Sequence, residues 1–375
     1  MTIDREARCR ARTEEAVLQL CRFVSPDRER LLQLLEEGID SPLLLGQLLF
    51  HRMGGAAYTV LEQTGLLGRV NREVRTSLQT VYEVNRIKTD SFRTMLTLLA
   101  RTLEGVEAPY ACLKGAYLAE VYPQGLRTSN DIDLLTQGKQ VDEFCRRLKE
   151  AGFVQGSVSG GVLRPATRRE ILDSRLNRGE TVPFLKEVNL PFVRFMEVDI
   201  NFSLDYQPRQ ATPVLPLLLS RVRRCIATGA GALPTLEPAD FLLHLCAHLY
   251  KEASTYGWVQ MGRDQSLYKF SDLYLLLSGE GAAALCRALP ARAEECGLQK
   301  EAYYALYHMQ ELFAPDRPEL ARTLQELRPA DTSYLNEIVS PADGRRYRFE
   351  EPFQDWLFDG RRMDKLIEER GEEKT

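Results

Sequence analysis

LKGAYLAEVYPQGLRTSNDIDLL, residues 113–135, changes its apolar period twice within a single stretch. The short apolar run Pro109–Leu113 leads into it and ends at Lys114-Gly115. Ala116–Val121 then reads as a helix, Pro123 and Gly125 punctuate, and Asp131–Leu135 alternates acid with apolar, the period of a strand. Gln140–Ala151 is again helical in pattern. This strand–helix–strand–helix order predicts a mixed sheet carrying helices. A second strong strand signal is FVRFMEVDINFSL, residues 192–204. Alternation puts Glu197, Asp199 and Asn201 on one face and Val198, Ile200 and Phe202 on the other. Between the two acidic strands lies an irregular stretch with Gly156, Gly160 and Gly161 and a helix-like Ala166–Arg178. It has room for one or two further strands.

Outside that core the chain reads as helix. Apolar residues recur at three and four in the first hundred residues. Ser25-Pro26-Asp27 and Ser41-Pro42 supply breaks with an N-cap and an N1 proline. Residues 71–103 contain no proline or glycine and form one long helix or two end to end. Helical periodicity returns at Glu237-Pro238 and continues to about Leu312. The charged tail 340–375 keeps Tyr347, Phe349, Phe353, Trp356, Leu357 and Phe358, and is expected to dock, with its last residues, GEEKT, frayed. The expected class is α+β: a helical region at 1–105, a small mixed-sheet core at 106–210, a helical C-terminal domain at 211–339 and the tail.

Composition narrows the function. Of 375 residues, 44% are hydrophobic and 27% charged, ordinary for a globular protein, and the formal net charge is -4. Nothing global favours stable nucleic-acid binding. No run approaches the length of a membrane span, and MTIDREARCRARTEEA at the start lacks the apolar region of a leader, so a cytoplasmic location away from membranes is expected. Eight single cysteines with no CxxC read as reduced thiols.

The chemistry is concentrated in the carboxylates. Asp131 and Asp133, one residue apart on a strand, project from one face and can share or straddle metal ions. Mg²⁺ wants oxygen ligands. Phosphoryl and nucleotidyl transfer need such ions more than a protein nucleophile. Asp199 is the best third ligand, with Glu197 on the same face as the alternative. Read alone, Asp-X-Asp is a weak signal, better explained by a solvated strand end. Here Leu134 and Leu135 follow at once, so the acids sit at the mouth of a buried strand, where like charges are costly without a cation. The turn Lys114-Gly115-Ala116 opens a helix and can bring backbone N–H groups to a phosphate. Arg127, Thr128, Ser129 and Asn130 lead straight into the acids.

The motif resembles the signature of the uncharacterised bacterial nucleotidyltransferase family of the polymerase-beta-like superfamily: Leu-Lys-Gly, a helix, then Arg-X-Ser-X-Asp-Ile-Asp-Leu-Leu. The resemblance covers about residues 20–310. FMEVDINFSL is similar to the family's third-acid strand, and the helices around His244 and Asp272 to its C-terminal part. The chain departs from it at Ala116, where a second glycine or a serine is usual, and at Asn201, where relatives often carry histidine. The resemblance implies transfer of a nucleoside monophosphate from an NTP to an acceptor hydroxyl or phosphate, with release of pyrophosphate. Asp131 and Asp133, with Asp199, would hold Mg²⁺ or Mn²⁺. Asp199 would help activate the acceptor oxygen, and Lys114, Gly115, Arg127 and Ser129 would hold the triphosphate in a cleft against the C-terminal helices. The acceptor would be a small molecule, peptide, protein or RNA end. Rival readings are phosphotransfer or tRNA-end nucleotide addition on the same scaffold, or a non-catalytic NTP-binding protein.

Other candidates carry less. His244 and His248 have a zinc-compatible spacing, but HLCAH lacks the acid of HExxH, and packing explains them better. Lys269 could reach the nucleotide with Asp272, though a surface pair three apart is the simpler explanation. Tyr256, Trp258 and Tyr268 could stack a base but are more readily core. The pairs Arg168-Arg169, Arg223-Arg224 and Arg345-Arg346 could contact acceptor phosphates, though most arginine pairs are solvated.

Overall fold

The computed structural model describes residues 2–204, 214–222 and 224–369. Its contacts divide the chain into two units, residues 83–244 and residues 1–82 together with 245–375. Arg223, half of one arginine pair singled out above, lies outside the described residues, as do the 210/211 boundary and GEEKT.

The chain opens with α1 (Thr2–Cys21), α2 (Arg28–Glu36), α3 (Ser41–Phe50), α4 (Gly54–Gln63) and α5 (Arg72–Thr102). The long proline-free stretch is one helix. The caps differ from expectation. Asp27 accepts from Arg30 N at 3.0 Å and Asp40 from Leu43 N at 2.9 Å. Pro26 therefore precedes its cap, and Ser41-Pro42 lies inside the first turn. An aspartate both caps and complements the helix dipole, so it takes precedence over a nearby serine.

The unit formed by 83–244 carries β1 (Tyr110–Cys112), α6 (Gly115–Val121), β2 (Asp131–Thr136), α7 (Val141–Glu150), β3 (Val154–Ser159), β4 (Val162–Pro165), α8 (Arg168–Asn177), β5 (Phe184–Leu190), β6 (Val193–Asn201), α9 (Val214–Ser220), β7 (Arg224–Thr228) and β8 (Gly231–Thr235). These strands form one eight-stranded mixed sheet in the order β4-β3-β5-β6-β2-β1-β8-β7. The fold class is α+β, as expected, but the sheet is larger than the sequence suggested. Three strands, not one or two, occupy the stretch between the acidic strands. β7 and β8 extend the sheet beyond 210: Cys112 pairs in parallel with Thr235, whose hydroxyl donates to Cys112 O at 2.7 Å. β3, β4, β7 and β8 have only four to six residues each, with too little apolar alternation to be read locally.

β2 and β6 run parallel at the centre, pairing Asp131 with Glu197 and Asp133 with Asp199. On the opposite face Ile132, Leu134, Val198 and Ile200 are fully buried. α7 buries Val141, Phe144, Cys145 and Leu148, and the second half of α5 buries Phe92, Met95 and Leu99.

The other unit continues through α10 (Pro238–Ala253), which begins in the sheet-bearing unit, α11 (Tyr256–Gln260), α12 (Leu267–Ser278), α13 (Ala282–Cys296), α14 (Gln299–Phe313) and α15 (Pro318–Leu327). It ends with β9 (Glu337–Val339), β10 (Arg346–Arg348), α16 (Phe353–Phe358) and β11 (Ile367–Glu368). The tail buries Phe349, Phe353, Trp356 and Phe358. Trp356 is fully buried and stacks on Phe349 at 4.2 Å, and Arg362 pairs with the buried Asp264. Among the described residues no helix is long and apolar enough to cross a membrane, and all eight cysteines are free thiols.

His51 gives this unit an acid limit. It is fully buried, its Nδ1 accepts from Leu267 N at 3.3 Å, and Phe358 meets its ring edge-on at 5.5 Å. Burial first, and the Arg362 charge second, push its pKa down to about 3. A histidine depressed on folding takes up a proton on unfolding. The stability it contributes is present above the unfolded value of about 6.5 and is lost as pH falls toward 3, by up to about 1.4 kcal/mol per pH unit. Urea melts of the parent and of His51→Asn between pH 7 and pH 4 should show a shallower acid slope in the variant, whatever its starting stability. Equal slopes would remove His51 as the cause.

Candidate active site

The site grows out of the pairing of β1 with β2. Cys112 stands opposite Leu134, and Leu113 N donates to Asp133 O at 2.9 Å, extending the ladder by one residue. The chain then turns through Lys114, whose φ of 42° is a left-handed conformation that a lysine rarely adopts. That turn brings Lys114 Nζ to 3.1 Å from Asp133 Oδ1. Gly115 opens α6 and is glycine for a steric reason. A Cβ there would fall 2.1 Å from Ser129 Oγ and 2.5 Å from Ser129 Cβ. α6 has only seven residues, so its dipole is small.

The loop from Tyr122 to Asn130 delivers the acids, and α5 holds it. Asn85 Nδ2 donates to Gly125 O at 3.0 Å, the Thr89 hydroxyl to Arg127 O at 3.3 Å, and Lys88 Nζ to Asn130 Oδ1 at 2.8 Å. Asn85 and Thr89 are buried. Within the loop, Arg127 Nη1 donates to Ser129 Oγ at 2.6 Å, and its guanidinium lies 5.9 Å from the Tyr122 ring centre. None of these α5 residues was marked by the sequence reading. Their signal was there: polar side chains at 85, 88 and 89, three and four apart, on a helix that buries apolar residues further along.

The structure brings Asp131, Asp133 and Asp199 together. One carboxylate oxygen from each lies within 4.8 Å of the others, and among the described residues this is the one group of three or more acids, histidines or cysteines placed to hold a metal ion. Asp133 is 6% exposed and accepts from Asn201 Nδ2 at 3.3 Å as well as from Lys114. Asn201, where family relatives often carry histidine, is thus a donor to the central acid. Asp131 stands at the exposed end of its strand, yet its carboxyl is hemmed in by protein. That desolvation, and then the Asp133 charge, raise its pKa against the opposing pull of Lys114 and Arg127. Asp199 is held well above the ordinary carboxylate value by burial, then by Asp133, Glu197, Asp131 and Glu180. Glu197 is raised by burial and then by Asp131 and Asp133. Four carboxylates therefore crowd one patch of sheet, and each shift shows that the folded protein disfavours their combined negative charge.

Several other candidates have contacts of their own. Lys269 belongs to the other unit, where its ammonium lies 2.7 Å from Glu252 and donates to the carbonyls of Arg263 and Asp264. His248 Nε2 lies 3.3 Å from the same Glu252. Tyr256 stacks on Tyr347 at 4.8 Å, a packing role within the docked tail. Arg345 and Arg346 meet Asp343 and Glu337.

The profile of a family described as uncharacterised nucleotidyltransferase matches residues 37–314. The chain belongs to that family. This nucleotidyltransferase carries Asp131, Asp133 and the turn at Lys114-Gly115 inside the matched segment. No match is found among curated proteins. Among solved structures, an antigenic nucleotidyltransferase-like protein from Paracoccidioides brasiliensis is similar at 16% identity, with a TM-score of 0.39 over 64% of this chain and 94% of that chain. That likeness is too slight to build on.

The Gly115–Ser129 contact gives a direct test of the site's construction. Gly115→Ala should displace the Ser129 segment and lower transferase activity by at least about tenfold, the effect expected when reactive groups are misplaced by about an ångström. Adding Ser129→Gly removes the opposing atoms, so in a Ser129→Gly background Gly115→Ala should cost far less activity than in the parent. An equal cost in both backgrounds would show that the contact does not position the loop.

Proposed function

We propose that this nucleotidyltransferase moves a nucleoside monophosphate from an NTP to an acceptor hydroxyl or phosphate, releasing pyrophosphate, with Mg²⁺ or Mn²⁺ held by Asp131, Asp133 and Asp199. The convergence of these three carboxylates within 4.8 Å carries the reading. The donor set suits the ion: all ligands are oxygens, as a hard divalent cation requires, and burial first, then the neighbouring carboxylates, raise the pKa values of Asp131 and Asp199. Bound there, the metal supplies charge neutralisation on the triphosphate and lowers the pKa of the acceptor oxygen.

The chain's own residues do the rest. Lys114, Arg127 and Ser129 bind the phosphates. Gly115 lets Ser129 approach, and α5 keeps the loop that carries Arg127 in place. Asp199 accepts the acceptor's proton, and its raised pKa suits a base. Asn201 and Lys114 orient Asp133. The NTP is one substrate. The acceptor is left open among a small molecule, a peptide, a protein and an RNA end.

Product analysis tests the reaction class. Incubation with α-labelled and γ-labelled NTP should yield labelled acceptor from the former and labelled pyrophosphate from the latter. Labelled acceptor from the γ-label, with NDP released, would instead identify a phosphotransferase. Metal-dependent NTP binding without any product would identify a binding protein.

Two substitutions probe the roles. Asp133→Asn should abolish turnover in a protein that still melts cooperatively, because a neutral amide is a weak ligand for a divalent ion. Unchanged activity and Mg²⁺ dependence would end the metal assignment. Arg127→Ala removes a charge-assisted hydrogen bond worth roughly 1.5–3 kcal/mol. By calorimetry it should weaken ATP binding on the order of 10- to 100-fold and AMP binding far less, since AMP lacks β- and γ-phosphates. ATP affinity within twofold of the parent for both Arg127→Ala and Lys114→Ala would refute the phosphate role.

A further inference from the structure

Two demands on Lys114 conflict. Its ammonium donates to Asp133 Oδ1 at 3.1 Å, and Asn201 Nδ2 donates to the same oxygen at 3.3 Å. The Lys114 side chain is 23% exposed and that of Asp133 8%, so water screens the pair little. Burial and then Asp133 raise the pKa of Asp131, and Lys114 exerts the larger of the two cationic pulls against them, ahead of Arg127. A divalent ion would bind an Asp133 oxygen at about 2.1 Å. The ammonium opposes it in two ways: it repels a like charge at close range and it holds one of the two oxygens. A triphosphate, in turn, attracts the ammonium through charge-assisted hydrogen bonds.

The backbone shows that lysine is not at this position for its conformation. Lys114 has φ 42° and ψ −112°, and Ala116 N donates to Leu113 O at 3.1 Å. These are the marks of a type II′ turn with Lys114 at its first central position, where glycine is favoured. A residue with a side chain is strained there. What the lysine gains in exchange is the contact of its ammonium with Asp133.

Given the metal and phosphate roles proposed above, we infer that Lys114 is a built-in counter-cation that changes partner: it holds Asp133 against a divalent ion and passes to the triphosphate when the nucleotide binds. The ammonium keeps an anionic partner throughout. The exchange couples the two ligands. A phosphate that draws Lys114 away raises the affinity of Asp133 for metal, and by reciprocity metal on Asp133 raises the affinity for the triphosphate. The metal accordingly enters with or after the nucleotide rather than ahead of it.

Mn²⁺ titrated into the full chain without nucleotide, and followed by loss of the free-ion electron paramagnetic resonance signal, tests the first half of the exchange. Glycine suits the turn, so Lys114→Gly should keep the circular dichroism spectrum of the parent. It should bind Mn²⁺ at least about fivefold more tightly, because a like charge at close range is gone. Affinity equal to or weaker than the parent's overturns the inference. Adding Asp133→Asn to Lys114→Gly should abolish the gain. If the double variant keeps it, the metal assignment itself fails, an outcome distinct from failure of the exchange. ATP binding in EDTA, by calorimetry, tests the second half. Asp133→Asn releases the ammonium, so it should tighten ATP binding more in the parent than in a Lys114→Gly background. An equal effect in both backgrounds shows that Lys114 does not pass to the phosphates and overturns the exchange.

Discussion

Parallel pairing of β2 with β6 is the constraint on which the site depends. In a strand, burying one face commits the other. Ile132, Leu134, Val198 and Ile200 supply the apolar face, and the register sets Asp131 beside Glu197 and Asp133 beside Asp199. The carboxylates are crowded because the core holds them there. Burial first, and their mutual repulsion second, raise the carboxyl pKa values of Asp131, Glu197 and Asp199. Lys114 and Asn201 offset part of it by donating to Asp133. A divalent cation would offset more, and this is the physical content of the metal reading.

A site of this kind must be stiff before substrate arrives, since misplacing a reacting group by an ångström costs orders of magnitude in rate. The stiffness here comes from outside the sheet. α5 lays Asn85, Lys88 and Thr89 along the loop that precedes Asp131, and the loop packs back on the turn at Gly115. The left-handed backbone at Lys114 fits the same account: strain at a single residue persists where its surroundings over-determine it. Ser129 is itself a structural element, wedged between Gly115 and Arg127.

The unit built from both ends of the chain follows a different logic. It closes on its own tail through Trp356, Phe353 and the buried Asp264–Arg362 pair. Lys269, which the sequence offered as a nucleotide contact, has its ammonium among Glu252 and two carbonyls. An exposed-looking lysine one turn into a helix cannot be told by pattern from one that folds back on the preceding loop, because the loop's path is a tertiary fact.

The sequence by itself determined the strands at 131 and 193, the helices on either side, the acidic faces and the family signature, because each is written in local period: alternation for a strand, three-and-four spacing for a helix. It determined that Asp199 and Glu197 share a face, since alternation alone requires it. Only the tertiary structure decided that this face lies beside Asp131 and Asp133, for parallel strands about sixty residues apart carry no local sign of their register. It also decided that Asn201 serves Asp133, that Gly115 is glycine because of Ser129, and that α5 braces the loop. These are contacts between segments distant in sequence, and the apolar burial that brings such segments together is a property of the whole core. β3, β4, β7 and β8 were obscure for the related reason that short strands with little apolar alternation are strands only by virtue of the neighbour they pair with.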